Sequence, residues 1–190
     1  MFKITFSDKM PKSVKAHVVL TDNGKSLSKT AAGIDKASGG ALARTVSTAG
    51  FTPDMKKFHV FRGSDKTADT VILGGLGDVK KLEKTDFEAI GSELYKTLVT
   101  LNISKLVVEL DDLKGLDTAE CAVKLASGMA LNSYKFDKYK KADKDKAKVT
   151  LEEVQFVLKD AAAAKKQFAD MQAVIEGVFF TRDLGWEPGN

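Results

Sequence analysis

Residues 70–110 read TVILGGLGDVKKLEKTDFEAIGSELYKTLVTLNISKLVVEL, and the changes of period along this stretch decide the fold class. Thr70 to Leu73 (TVIL) is a short, β-branched apolar run with the composition of a buried strand. It breaks at Gly74-Gly75-Leu76-Gly77-Asp78, a turn signal. Thr85-Asp86-Phe87-Glu88 then has the form of a capping box, with Thr85 capping the N–H of Glu88 and Glu88 reaching back. Phe87, Ile90, Leu94, Leu98 and Leu101 fall on one helical stripe, and Leu106 to Leu110 (LVVEL) returns to strand.

The same alternation continues on both sides. Phe2, Ile4 and Phe6 recur with period two, and Ala16 to Leu20 (AHVVL) is a second strand ended by the turn Asp22-Asn23-Gly24. Ser28 to Ala49, rich in Ala and Ser, reads as two short helices broken at Gly39-Gly40. Lys57 to Arg62 (KFHVFR) is a further strand. Downstream, Asp117 caps a helix whose inner face, from Ala119 to Ala130, is mostly small. Val154, Phe156 and Leu158 alternate as a strand, and Asp160 opens a long helix over residues 161–182, with Phe168, Met171, Ile175 and Val178 on one stripe. Gly185 and Pro188 are expected to close it. About six strands interleaved with helices define an α/β layered domain. The two N-terminal strands are too close for a helical crossover, so the sheet is expected to be mixed, with antiparallel pairing there.

The chain has 190 residues, room for one domain with its own core. Its net charge of +4 has a local origin. Lys135 to Lys148 holds seven lysines against three aspartates, and the remainder is neutral. A lysine run with interleaved Asp is a solvated loop, and nucleic acid is not the expected partner. A lone Cys121 cannot form an internal disulfide, and neither a signal peptide nor a membrane-spanning run is visible. A cytoplasmic location is the expectation.

Chemistry is sparse. The two histidines, His17 and His59, sit inside apolar strand patterns without metal-ligand spacing. Glu109, Asp111 and Asp112 cluster at a strand end with no other ligand type beside them in sequence. Cys121 falls on the inward face of its helix, and no Gly-x-Ser-x-Gly elbow exists. Catalytic and metal-binding residues are therefore expected to number none. Gly74, Gly75, Gly77 and Asp78 form a possible ligand loop, since glycines after a strand let a backbone approach a phosphate. The dinucleotide and P-loop fingerprints are missing from it, and tight turning at a strand end is the favoured explanation of the glycines.

Three segments resemble the N-terminal region of the leucyl (cytosol) aminopeptidase family. The first is the strand and Gly-Leu-Gly turn of residues 70–77. The second is GMALNSYKFDKYK, residues 128–140, with Tyr134, Phe136, Asp137 and Tyr139 as its marks. The third is EGVFFTRDLGWEPGN, residues 176–190, marked by Arg182, Asp183, Pro188 and Asn190. Gly185-Trp186 departs from the small or branched residue and Asn usual in the family. The marked residues are taken as structural.

The resemblance implies a two-domain enzyme that removes N-terminal residues from peptides with two divalent metal ions, typically zinc, manganese or magnesium. A bridging hydroxide attacks the carbonyl while the metals stabilise the oxyanion. The family's metal-binding lysine, aspartates and glutamate lie beyond Asn190. Residues 1–180 are thus expected to be an accessory domain and residues 181–190 the start of a linker into the catalytic domain. The implied fold resembles a macro domain, a three-layer mixed sheet between helices. Its implied partners are its own catalytic domain and other copies in a hexamer. The alternative is a macro-like module binding ADP-ribose or a related nucleotide.

Overall fold

The computed structural model describes residues 2–23, 27–62, 68–110, 115–139 and 151–187. Six strands make one sheet: β1 (Lys3–Ser7), β2 (Val14–Thr21), β3 (Phe58–Arg62), β4 (Ala68–Gly75), β5 (Lys105–Glu109) and β6 (Glu153–Val157). Five α-helices accompany them: α1 (Lys29–Ala37), α2 (Ala41–Thr48), α3 (Lys84–Thr100), α4 (Thr118–Asn132) and α5 (Ala161–Trp186). The strand order is β1-β6-β5-β2-β4-β3, and the sheet is mixed as expected. Strand and helix locations follow the sequence periods closely, including the break between α1 and α2 at Gly39 and Gly40.

The antiparallel pair is β3 with β4, and the expected pairing of β1 with β2 does not occur. These two strands are separated by β6 and β5, and every ladder between them is parallel. Residues 8–13 make the crossing without a helix. Three strand spacings are about 14 Å and the return along a strand about 16 Å, a diagonal that seven extended peptide steps can span. Gln155 on β6 donates to the Lys9 carbonyl at 3.1 Å, fixing that connector near the sheet.

Alternation along the central strands sends side chains to two cores. Ala16, Val18 and Leu20 of β2 and Ile72 of β4 join the face packed by α3, α4 and α5. Val19, Val71 and Leu73 join the opposite face, with Ala31, Ile34 and Leu42 from α1 and α2. The architecture is therefore three layers, as the family resemblance implied. Phe87, Leu94 and Leu98 are almost fully buried on α3, each contributing about 2 kcal/mol by removal from water. Helices α3 and α4 meet at backbone distance: a Cβ on Gly91 would lie 2.1 Å from the Leu125 carbonyl oxygen, and one on Gly128 1.9 Å from that of Glu88.

Two helix ends differ from expectation. The cap of α3 is Glu83, whose N–H donates to Asp86 Oδ2 at 2.8 Å, two residues before Thr85. Glu88 instead takes an ion pair from Lys124 at 2.7 Å, across to α4. Asp117 caps α4 as expected, accepting from the N–H groups of Ala119 and Glu120. Helix α5 runs through Gly185 to Trp186, past the expected end at Arg182.

Candidate functional site

The carboxyl ends of β2 and β4 are where the fold divides. The connection after β2 leads to α1 and α2 on one face, and that after β4 to α3 on the other. Neighbouring parallel strands whose connections part in this way leave a crevice at the sheet edge. A cleft of about 420 Å3 lies there, lined by Thr21, Asp22, Leu27 and Leu73 and walled by α2 and residues 50–53.

Gly74, Gly75, Gly77 and Asp78 brace this edge. The Gly75 N–H donates to the Lys57 carbonyl at 2.8 Å, that of Leu76 to Thr21 at 2.9 Å and that of Gly77 to Pro53 at 2.9 Å. Asp78 accepts from the Lys80 N–H and caps a short 3-10 turn over Val79–Lys81. A Cβ at Gly75 would fall 2.2 Å from the Asp54 carbonyl oxygen, and Gly77 has φ +69°. These glycines let the segment before β3 lie down on the end of β4. Three successive amides are spent inside the chain, and a phosphate would need them free.

His17 of β2 and Glu109 of β5 were separate features in the sequence, and the structure joins them. His17 Nε2 lies 2.9 Å from Glu109 Oε2, and Thr30 Oγ1 donates to Glu109 Oε1 at 2.9 Å. Both groups address the same carboxylate, which ties β2, β5 and α1 together at this point. Asp111 and Asp112 lie outside the described residues. His59 leans on Phe51 with ring centroids 5.4 Å apart, and burial lowers its pKa. Its buried Nε2 has no hydrogen-bond partner among the described residues. Cys121 is buried, and desolvation, with Asp117 and Glu120 nearby, pushes its thiol up to about 12. A thiolate nucleophile is not accessible there. Among the described residues no three of His, Cys, Asp or Glu gather as metal ligands would, and no helix is long and apolar enough to cross a membrane.

The two longer sequence motifs, some fifty positions apart, meet at the end of α5. Tyr134 Oη donates to Asp183 Oδ1 at 2.7 Å, and the Arg182 guanidinium lies 4.0 Å from the Tyr134 ring centre. Arg182 also donates to the Leu131 carbonyl at 3.4 Å. Desolvation, helped by Asp183, pushes the Tyr134 phenol up to about 12. Tyr139 and Lys138 both donate to the Glu187 carboxylate, which these bonds hold below the usual range. Phe136 stacks on Trp186 with centroids 6.4 Å apart, and Tyr134 packs on Phe179. Asp137 is exposed in the same segment, while Pro188, Asn190 and the lysines from Lys140 to Lys148 lie outside the described residues. Glu187, Lys138, Phe179 and Trp186 complete the clamp. No local spacing in the sequence reveals them, because each partner is remote along the chain.

The last turns of α5 are apolar on both sides. One side faces the clamp, where Trp186 remains 65% exposed; away from it Phe180 and Leu184 are 64% and 59% exposed, as is Val174 about three turns earlier at 58%.

Fold and site together define a three-layer α/β domain that carries a projecting, clamped apolar helix. The sequence profile for the cytosol aminopeptidase family, N-terminal domain, matches residues 18–143. The chain belongs to the cytosol aminopeptidase family, through its N-terminal domain. It is 26% identical over 194 aligned positions to a probable cytosol aminopeptidase of Rickettsia bellii, covering 100% of this chain and 39% of the relative. The corresponding protein of Rickettsia felis is 27% identical with the same coverage. The chain thus spans about two fifths of the length of these relatives. Among solved structures, a mutant tomato leucine aminopeptidase superposes with a TM-score of 0.80 at 18% identity, over 99% of this chain and 39% of that one. The bottromycin maturation enzyme BotP gives 0.68 at 20% identity, over 93% and 33%. These two show the shared fold.

Proposed function

We propose that this domain is the accessory, non-catalytic part of a leucyl aminopeptidase, serving assembly and substrate access. The observation that carries the reading is the second half of α5. It presents Phe180 and Leu184 to solvent one helical turn apart, while the clamp on Asp183 and Glu187 holds its course. Such a face is a docking surface in waiting. In this reading it packs on the enzyme's own catalytic domain, with residues 1–180 as the accessory body and residues 181–190 leading out of it. The parent enzyme removes N-terminal residues from peptides in the cytoplasm. It holds two divalent ions, zinc, manganese or magnesium, in that other domain and assembles as a hexamer. The relatives' names support the aminopeptidase activity, and BotP has been solved with manganese.

Docking is tested on the chain alone with the double variant Phe180→Glu, Leu184→Glu. The wild-type chain is expected to bind a hydrophobic dye or self-associate. The double variant is expected to lose that property and melt within about 2 °C of wild type, since neither side chain belongs to the domain's core. A large fall in Tm would place both residues in the domain's own packing and remove the docking face.

A further inference from the structure

Beyond that role, the outer edge of β1 carries unused bonding groups. β1 ends the sheet and pairs with β6 on one side only. The Lys3 N–H donates to the Glu152 carbonyl at 2.8 Å, and the Ser7 carbonyl accepts from the Leu158 N–H at 3.0 Å. In a parallel ladder alternate residues turn both backbone groups to the same neighbour, so Lys3, Thr5 and Ser7 serve β6. The N–H and C=O groups of Ile4 and Phe6 therefore point away from the sheet, and no described residue bonds them. Such an edge is a template for a further strand unless charge, proline or a bulge blunts it. The one charge on β1, Lys3, is turned to Glu153 at 2.8 Å, and the register with β6 runs unbroken from Lys3 to Ser7.

A cleft of about 300 Å3 follows this edge between β1 and the first half of α5. Its floor is apolar: Ile4, Phe6 and the buried Phe168, whose ring centre lies 5.4 Å from that of Phe6. Thr5, on the opposite face by alternation, lines it as well, so the cleft reaches round to the open backbone. Lys165 stands exposed on the α5 wall and makes no ion pair among the described residues. Open edge groups beside an apolar slot under a helix suit strand addition, in which main-chain bonds give affinity and the slot receives alternate side chains. A compact ligand would leave the row of edge groups unbonded, whereas an extended backbone offers the matching row. We propose that β1 and α5 bind an extended peptide segment, which pairs with Ile4 and Phe6 as a further strand. One apolar side chain lies over Phe6 and Phe168, and an acidic one on the same face meets Lys165.

The probe is a capped hexapeptide of alternating valine and threonine, with glutamate in place of the terminal valine. It is titrated into the isotopically labelled chain, and amide hydrogen exchange is followed residue by residue. In the free chain the Ile4 and Phe6 amides are expected to exchange fast and that of Thr5 slowly. The peptide should slow Ile4 and Phe6 by about tenfold or more at saturation and shift the amides of Lys165 and Ala169. The same peptide N-methylated at alternate amides should not bind. Lysine in place of its glutamate should weaken binding about fivefold, the order of an exposed ion pair turned repulsive, and Lys165→Gln should remove that difference. Ile4→Pro deletes an edge N–H without costing a ladder bond and should abolish most binding. If that variant does not fold, the N-methylated peptide makes the same test. Slow exchange at Ile4 and Phe6 in the free chain, no saturable slowing, or equal binding of the N-methylated peptide overturns the assignment. Equal binding of the two charge forms overturns the acidic preference, and a dimer in sedimentation that protects the same amides gives the edge to a second copy instead.

Discussion

Tyr134 shows how much of this protein's design rests on single groups far apart in sequence. Its hydroxyl donates to Asp183 and its ring receives Arg182, so one side chain ties the end of α4 to the end of α5. An ordinary tyrosine titrates near pH 10. In the folded chain this phenol is held up to about 12, mainly by desolvation and then by Asp183. The folded state therefore keeps the proton more tightly than the unfolded one. Its contribution is complete below about pH 10 and fades as pH rises towards 12. Absorbance titration of the phenols should show a late step that Tyr134→Phe deletes; an unchanged late step would contradict the assignment. Cys121 offers a second check. With its thiol pushed up to about 12, it should resist iodoacetamide at pH 8 in the native chain and react promptly in denaturant. Rapid native alkylation would mean that the inner face of α4 is open. The inward position of Cys121 was legible in the sequence, because its neighbours on that face are small and apolar. The Tyr134–Asp183 bond was not, since nothing local marks a partner 49 positions away.

Helices α3 and α4 are held by an approach that only glycine allows. At Gly128 an added Cβ would overlap the Glu88 carbonyl, so Gly128→Ala is expected to cost about 2 kcal/mol or more in denaturant unfolding. Gly177 on exposed α5 makes the control. Nothing lies near its missing Cβ, so Gly177→Ala should raise stability by about 0.5–1 kcal/mol through helix propensity. Equal effects at the two sites would refute the close-packing account. At this scale the sequence was informative wherever one period ran long enough. The β4–α3–β5 stretch and the alternation of β6 stand where their apolar spacing put them, and the two-part α1–α2 segment where its composition and Gly39-Gly40 put it. The cap of α3 was misplaced because Thr85-x-x-Glu88 fits the motif, while Glu83 and Asp86 do the work and Lys124 draws Glu88 away. The β1–β2 relation failed for another reason. Strand order is set by which neighbours fill the gap, and β6, which fills it, comes more than a hundred residues later.

At the scale of the molecule, a well-formed three-layer body carries an unfinished surface. The core is closed on both faces of the sheet, yet the end of α5 leaves Phe180, Leu184 and Trp186 in water. On the proposed reading that surface docks on the enzyme's catalytic domain. A nucleotide reading has little to rest on, with the glycine-turn amides already bonded; calorimetry with ADP-ribose is expected to give no saturable heat. The 74–78 turn was legible as a turn, but its role in seating the chain before β3 depends on contacts that no local pattern encodes. On the proposed reading, peptide hydrolysis belongs to the catalytic domain and not to this one. Hydrolysis of leucyl p-nitroanilide by the purified chain, loaded with zinc or manganese, tests it directly. The expected rate is no higher than that of metal in buffer, and sustained turnover that follows the chain through purification would contradict the non-catalytic reading.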